Sequence, residues 1–484
     1  MNLRMVQRIL GLMLMLFSLT MLPPVGVSLG YSDGHWYPFV VAFGIIAAIG
    51  IALWFPVRAL RRDLRLRDGF LVVAVFWFFL GIAGATPLLL SDVPRMSFTD
   101  AVFEAVSGFT TTGATVIVGL DELPKSILYY RQQIQWFGGM GIIVLAVALL
   151  PVLGIGGMSL YKAETPGPFK DQKLTPRITQ TAKALWTVYA ALTAACAVAY
   201  RLTGDMDWFD AVGHAFSTLA TGGFSTHDAS FAHFDSAAVD AIATVFMFLG
   251  GVSFALHFLA IRGRDPRLYW RDPEFQAYFW LVAALVAGAA VYLRIMGEFD
   301  GFGSSLRHAA FQIVSIQTST GFVTTGFAHW PGALPVVMML LTLVCGCAGS
   351  TTGGMKVIRW LIVFRQGVSE LKRLVHPSAE IPVKIGGRPV PMRIIGGVAG
   401  FFAMYFIIFA VLMFMLMMLG LDQVTAWSAV ATCLNNVGPG LGDVSVHFQD
   451  VPDAAKWISV IAMLAGRVEI FTFILLLTPA FWQR

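Results

Sequence analysis

Apolar runs of roughly 20 residues recur from one end of this chain to the other, each long enough to cross a bilayer core as a helix. They predict spans over 9–29, 37–57, 69–90, 126–153, 184–203, 238–261, 276–296, 333–364, 394–419 and 456–479. Polar sequence breaks the pattern at regular places. After the third, fifth, seventh and ninth spans comes a segment too short and too polar to cross, reading FTDAVFEAVSGFTTTGA, WFDAVGHAFSTLATGGF, SLRHAAFQIVSIQTSTGF and QVTAWSAVATCLNNVGP. Each contains a short loop closed by glycine: Thr110, Thr111, Thr112 and Gly113; Ala220, Thr221, Gly222 and Gly223; Thr318, Ser319, Thr320 and Gly321; Asn435, Asn436, Val437 and Gly438. Six residues before each closing glycine stands a small hydroxyl residue, Ser107, Ser217, Ser315 or Thr432, and Asp100 matches Asp210.

One such loop carries little information, because Gly and Thr are common in membrane helices. Four in matching context predict four like elements around one axis, each a span, a half-helix, a loop returning to the side it came from, and a second span. Irregular backbone at membrane depth is tolerated only inside protein or beside a watery cavity. The fold class is an all-α polytopic membrane protein of four such repeats with quasi-fourfold symmetry, preceded by two extra helices. The chain divides into two N-terminal helices with a basic loop (1–68) and four pore repeats, 69–160, 161–265, 266–375 and 376–484. The stretch from Arg4 to Leu22 starts like a signal peptide, but no A-x-A-like site follows, so it is read as a retained helix ending at Pro23-Pro24.

Charge sets the topology. With the N-terminus inside, the cytoplasmic segments hold Arg58, Arg61, Arg62, Arg65 and Arg67, then Lys162, Lys170, Lys173, Arg177 and Lys183. They continue with Arg262, Arg264, Arg267 and Arg271, then Arg365, Lys372, Arg373, Lys384, Arg388 and Arg393. The opposite side carries only Arg95, Lys125, Arg131, Arg201, Arg294, Arg307 and Lys456. This is the positive-inside bias; it puts both termini in the cytoplasm and opens all four loops outward. The outer segments are acidic, with Asp121, Asp205, Asp228 and Asp443 among them, either as solvated loops or as a vestibule that concentrates cations.

The 484 residues are 57% hydrophobic and 13% charged with a mean hydropathy of +0.74, which excludes a soluble globular protein. No polar block is large enough for a soluble domain, so any cytosolic regulation comes from another chain. Cys196, Cys345, Cys347 and Cys433 lie in apolar sequence; Cys345-x-Cys347 lacks structural-zinc spacing and no disulfide framework is implied. His214, His257 and His308 do not repeat and read as ordinary hydrogen-bonded residues. No P-loop, dinucleotide fingerprint or nucleophile–base pair emerges, so the chain is read as neither an enzyme nor a nucleotide binder.

The chemistry of the loops is that of a cation path. Moving a bare ion into low dielectric costs on the order of 20 kcal/mol by the idealised Born estimate, so a pore must replace the hydration shell with oxygens. Backbone carbonyls and Thr/Ser hydroxyls do so without fixed charge, which also lets the ion leave. The half-helices would add C-terminal partial negative charge at the cavity.

Two further features depart from plain spans. In the third repeat the final span contains Cys345 to Lys356, with four glycines and three hydroxyl residues among twelve positions, which weakens a helix interior. A small-residue packing interface is the alternative reading of that stretch. Arg467 is embedded in the last span; an ionisable residue at that depth is functional by default, and a packing salt bridge with Glu469 or another partner is its alternative.

The whole chain resembles the TrkH/TrkG/KtrB superfamily of bacterial potassium transporters, related to the fungal Trk and plant HKT proteins. TTTGAT (110–115), ATGGFST (220–226), TSTGF (318–322) and NNVGPG (435–440) fall where that family has its filter loops, and the two extra N-terminal spans resemble the TrkH/TrkG branch. The resemblance implies potassium uptake across the bacterial cytoplasmic membrane, with the four loops as potassium ligands. Glycine at all four closing positions goes with potassium preference in the family. A sodium-permeable or sodium-coupled carrier of the same architecture stays open. The family also implies an intramembrane gating loop over Gly346, Gly349, Ser350, Thr351, Thr352, Gly353, Gly354 and Lys356, and an arginine barrier at Arg467 whose positive charge is its working feature. It further implies a homodimer in the lipid bilayer, with a cytosolic nucleotide-binding TrkA ring on the basic face. No cofactor beyond the transported K+ and no nucleic-acid partner is expected.

Overall fold

A computed structural model describes residues 3–60, 66–141, 178–468 and 470–483. Arg61, Arg62, Arg65, Lys162, Lys170, Lys173, Arg177, Glu469 and the end of the span read over 126–153 lie outside them. Among the described residues six helices are long and apolar enough to cross a membrane, and two bent helix pairs raise that to eight.

The first helix does not end at Pro23-Pro24. A single 3-10 turn, Leu19–Met21, leads into a further helix, Leu22–Tyr31, in which the prolines occupy the first turn. A missing N–H costs nothing there, because those donors have no partner inside the helix. The first helix, Leu3–Ser18, packs along Tyr37–Trp54, where a Cβ on Gly11 would stand 2.7 Å from the Gly50 carbonyl oxygen. Small residues let two membrane helices approach to backbone contact.

Four half-helices follow the predicted segments: Phe98–Phe109, Trp208–Ala220, Phe302–Gln317 and Gln423–Asn435. Their polar starts explain the matching aspartates. Ser97 accepts the Asp100 N–H at 3.1 Å and Asp207 accepts the Asp210 N–H at 2.7 Å, so Asp100 and Asp210 occupy the same place in capped first turns. Asp422 caps the fourth, and its hydrogen bonds with the Thr425 side chain and backbone hold its carboxyl below the usual pKa.

Three predicted spans are broken, one of them at the stretch whose composition already marked it as unlike a plain span. The helices Ala237–Gly250 and Phe254–Gly263 meet at 96°, and Asp453–Arg467 and Ile470–Leu476 at 111°. The span read over 333–364 stops at Leu341 and resumes at Val357. Glycine and serine at 250–253 supply the reason for the first break, since Gly/Ser pairs interrupt the helical ladder at low cost. The all-α reading also omits a two-residue hairpin, Lys384–Ile385 paired antiparallel with Arg388–Pro389 across Gly386 and Gly387.

Three cations counted as loop charges are paired. Arg131 meets Glu104 at 2.8 Å, Arg307 meets Asp240 at 2.7 Å, and Lys456 meets Asp100 at 2.7 Å. Fewer free positive charges remain on that face than the count suggested.

Candidate ion pore

The four loops share one backbone. Two places before each closing glycine the chain turns left-handed, at Thr111 (φ 55°), Thr221 (53°), Ser319 (53°) and Asn436 (55°). The closing glycines repeat the turn with φ of 79°, 81°, 81° and 102°. Left-handed backbone costs an ordinary residue roughly 1–2 kcal/mol, so its recurrence at one register marks a geometry the fold enforces. A left-handed residue thus stands on either side of Thr112, Gly222, Thr320 and Val437. The N–H of the residue before each closing glycine returns to the half-helix: Thr112 to Ser107 O at 2.8 Å, Gly222 to Ser217 O at 2.9 Å, Thr320 to Ser315 O at 2.8 Å and Val437 to Thr432 O at 2.9 Å. The repeated hydroxyl residue of the sequence is the acceptor of this bond in every copy.

The loops close on one another. A Cβ on Gly113 would stand 2.2 Å from the Gly222 carbonyl oxygen, one on Gly223 2.0 Å from Thr320 O, one on Gly321 2.0 Å from Val437 O, and one on Gly438 2.7 Å from Thr112 O. Each closing glycine therefore abuts the carbonyl just before the next loop's glycine, in the order one, two, three, four and back to one. Asn436 Nδ2 also donates to Thr112 Oγ1 at 3.0 Å across the closing junction. Thr110 and Thr318 repeat a smaller detail: each hydroxyl bonds the threonine two places on at 2.7 Å. All residues of the four loops ahead of the closing glycines are buried.

The irregular stretch of the third repeat lies against these loops. Gly353 N–H donates to Ser319 Oγ at 2.7 Å, Thr351 Oγ1 donates to Leu219 O at 2.9 Å, and a Cβ on Gly353 would stand 2.3 Å from Asn435 O. The stretch is pinned to the break in the second repeat, Cys347 N–H donating to Gly251 O at 2.8 Å and Phe254 N–H to Gly349 O at 3.0 Å. Lys356 is buried and folds back, its ammonium bonding Thr352 Oγ1 at 2.8 Å and Gly353 O at 3.2 Å. Gly346, Gly349, Ser350, Thr352 and Gly354 complete the same turn-rich segment.

Arg467 joins the two parts. Its guanidinium donates to Thr111 Oγ1 at 3.2 Å in the first loop, to Thr351 O at 3.1 Å in the irregular segment, and to Gly139 O at 3.1 Å and Gly138 O at the end of Lys125–Met140. This is more than a point charge. A planar fork reaching four oxygens on three elements is a strut that a lysine cannot reproduce. Glu469, the alternative partner, lies outside the described residues.

The profile of the cation transport protein family TrkH matches residues 37–291 and 295–484. The chain belongs to the TrkH family. It is 54% identical over 484 residues to the Trk system potassium uptake protein TrkH of Halomonas elongata, with both chains fully covered. It is 49% identical over 483 residues, again with full coverage of both, to the protein of that name in Escherichia coli K12. The crystal structure of the potassium transporter TrkH from Vibrio parahaemolyticus superposes with a TM-score of 0.91 at 52% identity, covering all of each chain.

Sequence reasoning missed the supports behind this TrkH-family ring. Glu104 and Arg131 are buried behind the first two loops, where Arg131 also donates to Ser225 O at 3.0 Å and Glu104 accepts the Val116 N–H at 3.0 Å. Gln135 clasps the second loop, its Oε1 accepting the Phe224 N–H at 3.0 Å and its amide donating to Gly222 O. Glu274 accepts the N–H of Ala348 at 2.8 Å and of Ile358 at 3.1 Å, tying both ends of the irregular segment to one carboxyl. A charge at a predicted span boundary, as Glu274 is, gave no signal. Glu104 inside an apolar half-helix did. The histidines do have ordinary partners, His257 lying between Tyr269 OH at 2.8 Å and Leu249 O at 2.9 Å.

Removing Glu104 should be costly. Glu104→Ala leaves the Arg131 guanidinium buried without its carboxylate, an error worth roughly 3–5 kcal/mol. The thermal unfolding midpoint in detergent should fall well below wild type, with Glu104→Gln less affected. An unchanged midpoint for the alanine variant would show that the pair supports nothing.

Proposed function

We propose that this chain carries potassium into a bacterial cell through a gated pore whose filter is the ring of four loops, set in the cytoplasmic membrane with both termini inside. The observation that carries the reading is the cyclic closure of four loops with one backbone and one register. A ring of dipolar oxygens at fixed spacing is suited to a dehydrated monovalent cation, and neutral ligands let it leave again. The filter ligands are Thr110 to Gly113, Ala220 to Gly223, Thr318 to Gly321 and Asn435 to Gly438. The segment from Gly346 to Lys356 is the gate, held by Arg467. Potassium uptake is what the names of these relatives describe, and glycine at every closing position favours it over the sodium-permeable alternative. As a member of a Trk system the chain works with further Trk components; a homodimer with a cytosolic TrkA-type ring on the basic face is the assembly we infer. The relatives are transporters, and no catalytic step is assigned.

The test is flux of potassium and rubidium into proteoliposomes containing the purified chain, with and without imposed voltage or a pH gradient. Voltage-driven rubidium uptake that excess sodium fails to suppress is the expected result. Equal permeation of sodium would favour the alternative, and no cation flux under any gradient would refute the pore.

A further inference from the structure

A polar cluster beside the first two loops has no part in the ring. Asp121 lies in the turn Leu120–Glu122 that follows the first loop, while His227 follows the second loop and His233 ends the turn Ser230–His233. One ligand atom from each of these three residues lies within 4.8 Å of the others. The rings of His227 and His233 stack with centroids 3.5 Å apart and 5° from parallel. His227 turns Nδ1 to the Asp121 carboxylate, and its Nε2 lies 3.4 Å from Asp210 Oδ2. Asp210 is itself fixed, accepting the Thr226 hydroxyl at 2.7 Å on its other oxygen. The two turns are joined independently of these ligands, because Asp228 accepts the Gly119 N–H at 2.9 Å and the Leu120 N–H at 3.1 Å.

We propose that Asp121, His227 and His233 form a binding site for a divalent transition metal of the zinc type, bridging the exits of the first and second loops. Two imidazoles and a carboxylate are the ligand set of zinc and its neighbours, whereas magnesium and calcium take oxygen ligands. Asp210 supplies what such sites need beyond the ligands. It accepts from the far nitrogen of His227, which fixes the tautomer and leaves Nδ1 to face the metal. Metal–nitrogen bonds of about 2.0–2.1 Å bring tetrahedral ligand atoms to roughly 3.3 Å of one another, so the His227–Asp121 pair must part as a metal replaces the hydrogen bond between them, while the wider pairs close by about 1.5 Å at most. Asp121 and His233 are exposed and can turn by side-chain rotation alone, His233 swinging out of the stack. A water would take the fourth position.

The test uses the full chain purified in detergent with a tag other than polyhistidine, titrated with zinc chloride by calorimetry and by thermal unfolding. Expected are saturable binding of about one zinc per chain, a raised midpoint, and no shift with magnesium at the same concentration. His227→Ala with His233→Ala should abolish that binding. Asp121→Asn should weaken it about tenfold or more, and His376→Gln, far along the chain, should leave it unchanged. The midpoint without metal reports folding; if the double variant is unstable, His233→Gln at its exposed position carries the comparison. Absence of zinc binding by the wild type, or equal affinity in the His233 variant, would overturn the site.

Discussion

Gly223→Ser should collapse the preference for potassium over sodium, lowering the flux ratio by about tenfold or more, the equivalent of about 1.4 kcal/mol. The added Cβ would fall 2.0 Å from the Thr320 carbonyl oxygen, at a residue whose φ is 81°. Neither strand can yield without moving a neighbouring loop, because the contact is backbone to backbone. Gly321→Ser meets the same separation of 2.0 Å and Gly113→Ser one of 2.2 Å, so both should behave alike. Gly438→Ser should be mildest, since its nearest oxygen stands 2.7 Å away. Relative potassium and sodium fluxes in proteoliposomes, normalised to folded protein, check the series. Wild-type ratios in all four variants would remove these loops from the filter.

Arg467→Ala should raise basal cation flux by about thirtyfold. A unit charge about 8 Å from the ion path costs a passing cation about 2 kcal/mol at an effective dielectric of about 20, and its removal speeds passage accordingly. Charge alone predicts that Arg467→Lys stays close to wild type. The hydrogen bonds to Thr111, Thr351, Gly138 and Gly139 change that expectation. Lysine keeps the repulsion but drops the strut beneath Thr351, so its flux should lie between wild type and alanine. Deleting Gly349 to Gly353 should raise flux further if this segment is the gate proposed above. Flux per folded protein, with thermal stability measured alongside, separates the cases. A lysine variant equal to wild type would show that charge alone matters, and a destabilised alanine variant with no gain in flux would make Arg467 purely structural.

The ring was legible because its parts are local and repeated. Thr110 to Gly113 and Thr318 to Gly321 announce themselves as polar glycine-closed interruptions of apolar sequence, and the small residues Ser107 and Ser315 mark the bond that shapes them. The irregular segment was legible for the same reason: Gly346 to Gly354 cannot make a stable helix interior. What holds these parts was not. The bend at 250–253 looks like an ordinary glycine contact within an apolar run, and only its hydrogen bonds to Cys347 and Thr351 distinguish it. Glu274 is one charge at the edge of a span, and the carboxyl's two partners lie 74 and 84 residues away. Arg131 looked like a loop cation because depth is invisible when a charge sits near a span boundary. Long-range polar contacts leave no periodic trace.

The last junction of the ring joins the first repeat to the fourth. Gly438 seats on Thr112 and Asn436 donates to the Thr112 hydroxyl, a contact spanning 324 residues of sequence. During synthesis the first three loops emerge with one side of the first loop still uncovered, and they stay so until the fourth half-helix is inserted. No shorter chain can present a closed circle of carbonyls. The closed ring is thus an all-or-nothing product of all four repeats: on the reading proposed above, a chain stalled before Asn436 would hold no finished filter.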